Sequence, residues 1–158
     1  MIDEHLDRWY QHLRGELPGG LDELLHDDCT FWSPIVFTPQ RGKELTKAYL
    51  GAAGQTLGGD DDHDAEPAGD AGDPGAHDDD RPIGGGFRYV KRVASGDHAV
   101  LEFETTMDGT YVNGVDIITF DDDGRITDFK VMIRPLQAVN KVHEAMRAML
   151  EQMAAARG

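Results

Sequence analysis

A single cysteine, Cys29, leaves no internal disulfide to form, and that fits a reducing compartment. It stands near Phe31 in an apolar context, so a buried inert thiol is expected there rather than a nucleophile. No run approaches the ~18 apolar residues of a membrane-spanning helix. The opening segment, MIDEHLDRWYQHLRG, is charged and amphipathic and lacks the apolar stretch of a signal peptide, so a cytoplasmic location is expected. Positive charge is also short. Lys and Arg number 15 against 30 Asp and Glu, for a formal net charge of −15. Such a balance argues against nucleic acid and anionic membrane surfaces as partners.

Much of the acid sits in one place. Residues 58–86 carry ten acids and one Arg, a net of −9, which leaves −6 for the remainder. Almost no apolar side chain occurs there, so the segment cannot offset the entropy of being ordered. It reads as a disordered acidic loop inserted between a helix and the sheet. His63 and His77 lie among its aspartates; weak binding of a divalent cation is one reading, and incidental histidines in a solvated insertion is the favoured one.

What remains reads as one domain with the periods of both helix and strand. Ile2, Leu6, Trp9, Tyr10, Leu13 and Leu17 recur at helical steps until Pro18-Gly19-Gly20, and a short helix is expected over 21–26. His5, His12 and His26 fall near these helices without metal-ligand spacing, which predicts surface or capping roles. A short strand is expected at 28–33, stopped by Ser33-Pro34, then a loop and a helix over 43–57 with Leu45, Tyr49, Ala52, Ala53 and Leu57 inward. Strands follow at 87–94 and 99–107, the second with Phe103, Thr105 and Met107 on one face and Glu102 and Glu104 on the other. Asp108-Gly109 marks a hairpin, and so does Asp121-Asp122-Asp123-Gly124 between the runs Val115–Phe120 and Ile126–Ile133. A terminal helix is expected over 136–156, with a stripe running from Leu136 through Val142 and Met146 to Met153.

Asp116 is the conspicuous residue. On a strand of period two it shares a face with Gly114, Ile118 and Phe120. A carboxylate on an apolar face needs a partner, a raised pKa or a purpose. Two readings stand: a pocket acid or base, or a structural partner for an Arg, His or Trp N–H. The aromatic side chains Trp9, Tyr10, Phe31, Trp32 and Tyr49 are expected mostly in the core, with one or two lining a pocket. A pocket on this face would draw its ligand contacts from Trp9, Tyr10, Trp32, Ser33, Tyr49, Phe103, Ile118 and Met132.

The order of elements, together with the segment VDIITFDDDGRI, resembles the SnoaL-like and ketosteroid-isomerase-like proteins of the nuclear transport factor 2-like superfamily. The resemblance implies an α+β fold in which a cone-shaped, curved antiparallel sheet wraps around helices and encloses an apolar pocket. It also implies homodimers formed through the sheet and chemistry without a cofactor. In the ketosteroid isomerases an acid on this strand is held protonated and donates to the enolate oxygen; Asp116 matches that position. Their general base, an Asp directly before a Pro, falls at Ser33, and their oxyanion Tyr falls at Trp9, with Tyr10 one step on. The Asp–Arg–Asp set of the related epoxide hydrolases finds no second acid at Phe129-Lys130-Val131. SnoaL-type cyclases need only a pocket acid. The implied function is proton transfer on an apolar carbonyl compound by an isomerase, cyclase or lyase using Asp116. The alternatives are a non-catalytic binding module for an apolar ligand and a dimerising partner-binding domain.

Overall fold

The computed structural model describes residues 1–56 and 86–157. The expected acidic loop, apart from Gly86, lies outside the described residues, as do His63 and His77. The elements are α1 (Ile2–Leu13), α2 (Leu21–Leu24), β1 (Leu25–Trp32), β2 (Gln40–Arg41), α3 (Lys43–Thr56), β3 (Arg88–Ser95), β4 (His98–Met107), β5 (Thr110–Phe120), β6 (Ile126–Arg134) and α4 (Leu136–Arg157). The strands form one curved, unclosed sheet in the order β2-β1-β6-β5-β4-β3, packed against the helices. β3 to β6 pair antiparallel in sequence, while β1 joins β6 in parallel, with Thr30 opposite Asp128.

Local chemistry explains the hairpins. At Asp108 and Gly109 the backbone has φ of 48° and 76°, the two left-handed residues that a tight two-residue turn requires. In the β5–β6 turn the Asp121 carboxylate accepts the backbone N–H groups of Asp123 and Arg125, both at 2.9 Å, so the side chain does the work of a turn hydrogen bond. Register shifts interrupt β3–β4 between Tyr89 and Lys91, and β5–β6 between Thr119 and Phe120. Such bulges bend a strand and raise its twist, which suits a sheet that must curl around its own core.

The concave face carries the core. Strand alternation sends Leu101, Phe103, Thr105 and Met107 of β4 inward beside Val112, Asp116, Ile118 and Phe120 of β5. α1 covers it with Leu6, Trp9 and Tyr10, and α4 with Ala138, Val142 and Met146. Each fully buried Leu, Ile or Phe among these adds roughly 1.5–3 kcal/mol relative to exposure. Gly114 is needed on this face because a Cβ there would stand 2.5 Å from both the Met132 carbonyl oxygen and the Phe103 ring.

Some boundaries and faces differ from expectation. The second helix ends at Leu24, and Leu25 already begins β1, pairing with Ile126; both leucines are buried, so apolarity alone could not separate helix from strand. Leu45 is exposed because α3 turns Thr46 and Leu50 inward, together with Ala52 as expected. Leu136 is exposed too, the stripe of α4 starting at Ala138.

Candidate functional site

Between the concave sheet and the helices lies a cavity of about 190 Å³. Phe103, Phe129 and Val131 form its sheet wall, Leu50 and Val142 close it from α3 and α4, and Trp9 and His12 reach it from α1. Asp116 opens into this apolar lining.

Asp116 is 6% exposed. Burial penalises its charged form and lifts the pKa from the ordinary 3.8 to about 7, against the pull of a hydrogen bond from Tyr89. The Tyr89 hydroxyl donates to Asp116 Oδ2 at 2.6 Å. Trp9 Nε1 in turn donates to the Tyr89 oxygen at 3.0 Å. An indole N–H is a donor only, so the phenol oxygen accepts from Trp9, and its own hydrogen is directed at Asp116 Oδ2. Burial, reinforced by the neighbouring Asp116, pushes the Tyr89 phenol well above its ordinary range and keeps it a donor. The other carboxyl oxygen, Oδ1, has no hydrogen-bond partner among the described residues. A neutral Asp116 therefore holds one oxygen fixed by protein and one open to a ligand.

The cavity has a second titratable wall. His12 is half-buried, its ring centroid 5.5 Å from that of Trp9, and burial lowers its pKa. A second groove of about 370 Å³ runs between the Ser33–Val36 segment, Tyr49 and α4.

Trp9, Phe103 and Asp116 meet in the cavity. Ser33 and Tyr49 line the second groove; Ser33 Oγ accepts the backbone N–H groups of Ile35 and Val36 at 3.1 and 3.3 Å. Tyr10 and Ile118 are buried in the core. The Trp32 indole donates to Asp128 Oδ2 at 3.0 Å, with Lys130 over its ring. Met132 projects from the convex face and is 51% exposed, since alternation along β6 turns Val131 inward. The hydrogen-bond partner of Asp116 is the Tyr89 hydroxyl rather than an Arg, His or Trp N–H. Of two further residues of the site, Tyr89 was not singled out, and His12, expected in a surface or capping role, is half-buried and lines the cavity instead. His12 had a signal: it stands three residues after Trp9, on the same helical face. Tyr89 sits opposite Phe103 in the β3–β4 register.

A curved, unclosed sheet packed against helices, with a pocket on its concave side, is the nuclear transport factor 2-like architecture. Among solved structures the chain is similar to a steroid delta-isomerase from Pseudomonas aeruginosa, with 28% identity and a TM-score of 0.75 over 97% of this chain and 93% of that one. It is similar in fold to an NTF2-like protein of unknown function from Mesorhizobium loti, with 18% identity and a TM-score of 0.57 over 84% and 90% of the two chains. A further likeness in fold is to the epoxide hydrolase/cyclase-like enzyme SalBIII of pyran ring formation in the polyether salinomycin, at 14% identity and a TM-score of 0.53 over 84% and 89%. No protein-family model matches the sequence, and neither does any curated protein compared with it. The fold and these likenesses agree with the resemblance of the chain to SnoaL-like and ketosteroid-isomerase-like proteins of the nuclear transport factor 2-like superfamily.

Proposed function

We propose that this protein is a cofactor-independent enzyme that moves a proton on a small apolar carbonyl compound, with Asp116 as the acid at the carbonyl oxygen. The observation that carries this reading is the Asp116 carboxyl itself: buried in an apolar cavity, clamped at Oδ2 by Tyr89 and, among the described residues, unpartnered at Oδ1. Neutral Asp116 donates from Oδ1 to the substrate carbonyl. When a neighbouring C–H bond loses its proton, negative charge gathers on that oxygen, and a fixed donor in a dry site stabilises it most at that moment. Tyr89 holds the carboxyl in place, and Trp9 holds Tyr89. The likeness to the Pseudomonas aeruginosa steroid delta-isomerase supports a reaction of the isomerase kind. The cavity, at about 190 Å³, lies below the usual ~300–1,000 Å³ of small-molecule pockets, so it favours an enclosed moiety of one or two rings.

The test is exchange of α-hydrogens for deuterium in 2-tetralone, a bicyclic enolisable ketone, followed by NMR in D2O. Asp116→Asn is expected to slow the catalysed exchange by ~100-fold or more, the usual scale for a positioned acid or base. Saturable binding of the ketone with no catalysed exchange would favour the second reading, a binding module; the hydrogen-bonded Ser33, in place of a carboxylate, is the observation on that side. A homodimer through the convex sheet face accompanies the proposal. Tyr111 and Met132 are exposed on that face, and a monomer in sedimentation at micromolar concentration would count against it.

A further inference from the structure

We infer that His12 is the second proton-transfer group of the cavity, the base that removes and returns the carbon-bound proton while Asp116 holds the carbonyl oxygen. The inference rests on the reading of Asp116 given above. A neutral acid donating to the carbonyl cannot also collect the proton that leaves carbon, so a separate base is required. Among the described residues lining the cavity, only Asp116 and His12 carry a carboxyl or an imidazole. Ser33 lines the other groove, and its oxygen already accepts two backbone N–H groups.

The geometry keeps the two groups apart yet in one chamber. Trp9 and His12 lie on one face of α1, and the indole stands in contact with both systems: its ring neighbours the imidazole, and its N–H reaches Tyr89. No hydrogen bond joins His12 to Asp116, and neither ring nitrogen of His12 is hydrogen-bonded to another described residue. A substrate whose oxygen meets Asp116 extends into the same space that His12 borders. Burial also favours the uncharged imidazole, the form that can accept a proton.

The step balances without any co-reactant. The imidazole nitrogen takes the proton from the carbon beside the carbonyl; the C–H electron pair becomes a C=C bond, and the carbonyl π pair moves onto the oxygen held by Asp116. The imidazolium then returns the proton to the far carbon of the conjugated system, or, in simple exchange, trades it for a solvent deuteron and delivers that to the same carbon. The oxygen pair re-forms the C=O bond. Nothing is oxidised or reduced.

Two variants test this with 2-tetralone in D2O near neutral pD. His12→Gln keeps bulk and polarity but removes the base; His12→Ala opens a hole beside the cavity. The expected result for both is a ~100-fold or greater fall in kcat for exchange, with KM within about threefold and, for His12→Gln, an unchanged thermal midpoint. Added imidazole is expected to restore at least ~10-fold to His12→Ala and nothing to Asp116→Asn, in keeping with a base role. If His12→Gln keeps its rate while Asp116→Asn loses it, His12 is not the base and the reading of Asp116 stands. If the alanine variant is slow, binds weakly and is not rescued, His12 serves packing, and the inference fails. If the wild-type protein exchanges no faster than Asp116→Asn, the Asp116 reading itself falls and takes His12 with it.

Discussion

Asp116 carries a stability signature besides its chemical one. Its folded-state pKa of about 7 stands above the ordinary 3.8. The folded protein thus holds the proton more tightly than the unfolded chain does. The stabilisation this gives is fully present below pH ~3.8, shrinks as pH rises and is lost once pH passes ~7. At ~1.36 kcal/mol per pH unit the span amounts to ~4 kcal/mol at most. Asp116→Asn is neutral at every pH and keeps an oxygen for Tyr89 to donate to. It is expected to be more stable than wild type above pH 7, by up to a few kcal/mol, and to lose that advantage toward pH 4. Urea unfolding of both proteins at pH 4.5 and 8 measures this. Tyr89→Phe is the companion change. It removes the donor to Asp116 and strands the Trp9 N–H, so a loss of ~1–3 kcal/mol is expected from the buried unpaired groups. It should also raise the Asp116 pKa further, because the Tyr89 bond is what lowers it.

At the scale of elements, Gly114 tests how β4 and β5 make the cavity wall. Gly114→Ala would put a Cβ 2.5 Å from a backbone oxygen of β6 and from the Phe103 ring. Displacing both is expected to cost ~1–3 kcal/mol, read as a lower thermal midpoint. The strands and helices themselves were largely legible from period and turn chemistry. The β5–β6 arms were bounded by their own turn residues, and Asp116 was placed on the buried face by parity alone. Less legible was the junction at Leu24 and Leu25, where two buried leucines satisfy either structure. The parallel pairing of β1 with β6 had no local signal, because no turn joins the two strands. Leu45 and Leu136 show the same limit: on a helix only partly covered, an apolar residue need not belong to the covered stripe.

At the scale of the molecule, the sheet must curl before a site exists. Tyr89 reaches Asp116 across 27 positions of sequence and Trp9 reaches Tyr89 across 80. Spacing cannot express such distances. The acid was visible as an anomaly on its own strand, whereas its tyrosine partner looked like any inward aromatic. His12 was visible only as one of several histidines without ligand spacing, and closure of α1 over the sheet brings it to the cavity. The curved fold thus gathers an acid and an imidazole into one apolar chamber while burial holds both toward their uncharged forms. An acid and a base coexisting uncharged is the condition for concerted work on a weakly acidic C–H bond.

The measurement that bears most directly on this account is a carboxyl 13C NMR titration of Asp116, assigned by its loss in Asp116→Asn. The account predicts a midpoint near 7, far above that of the exposed aspartates, and a further rise in Tyr89→Phe. A midpoint at or below 3.8 would show a solvated or ion-paired carboxylate, and the proposed acid would have no proton to give at neutral pH.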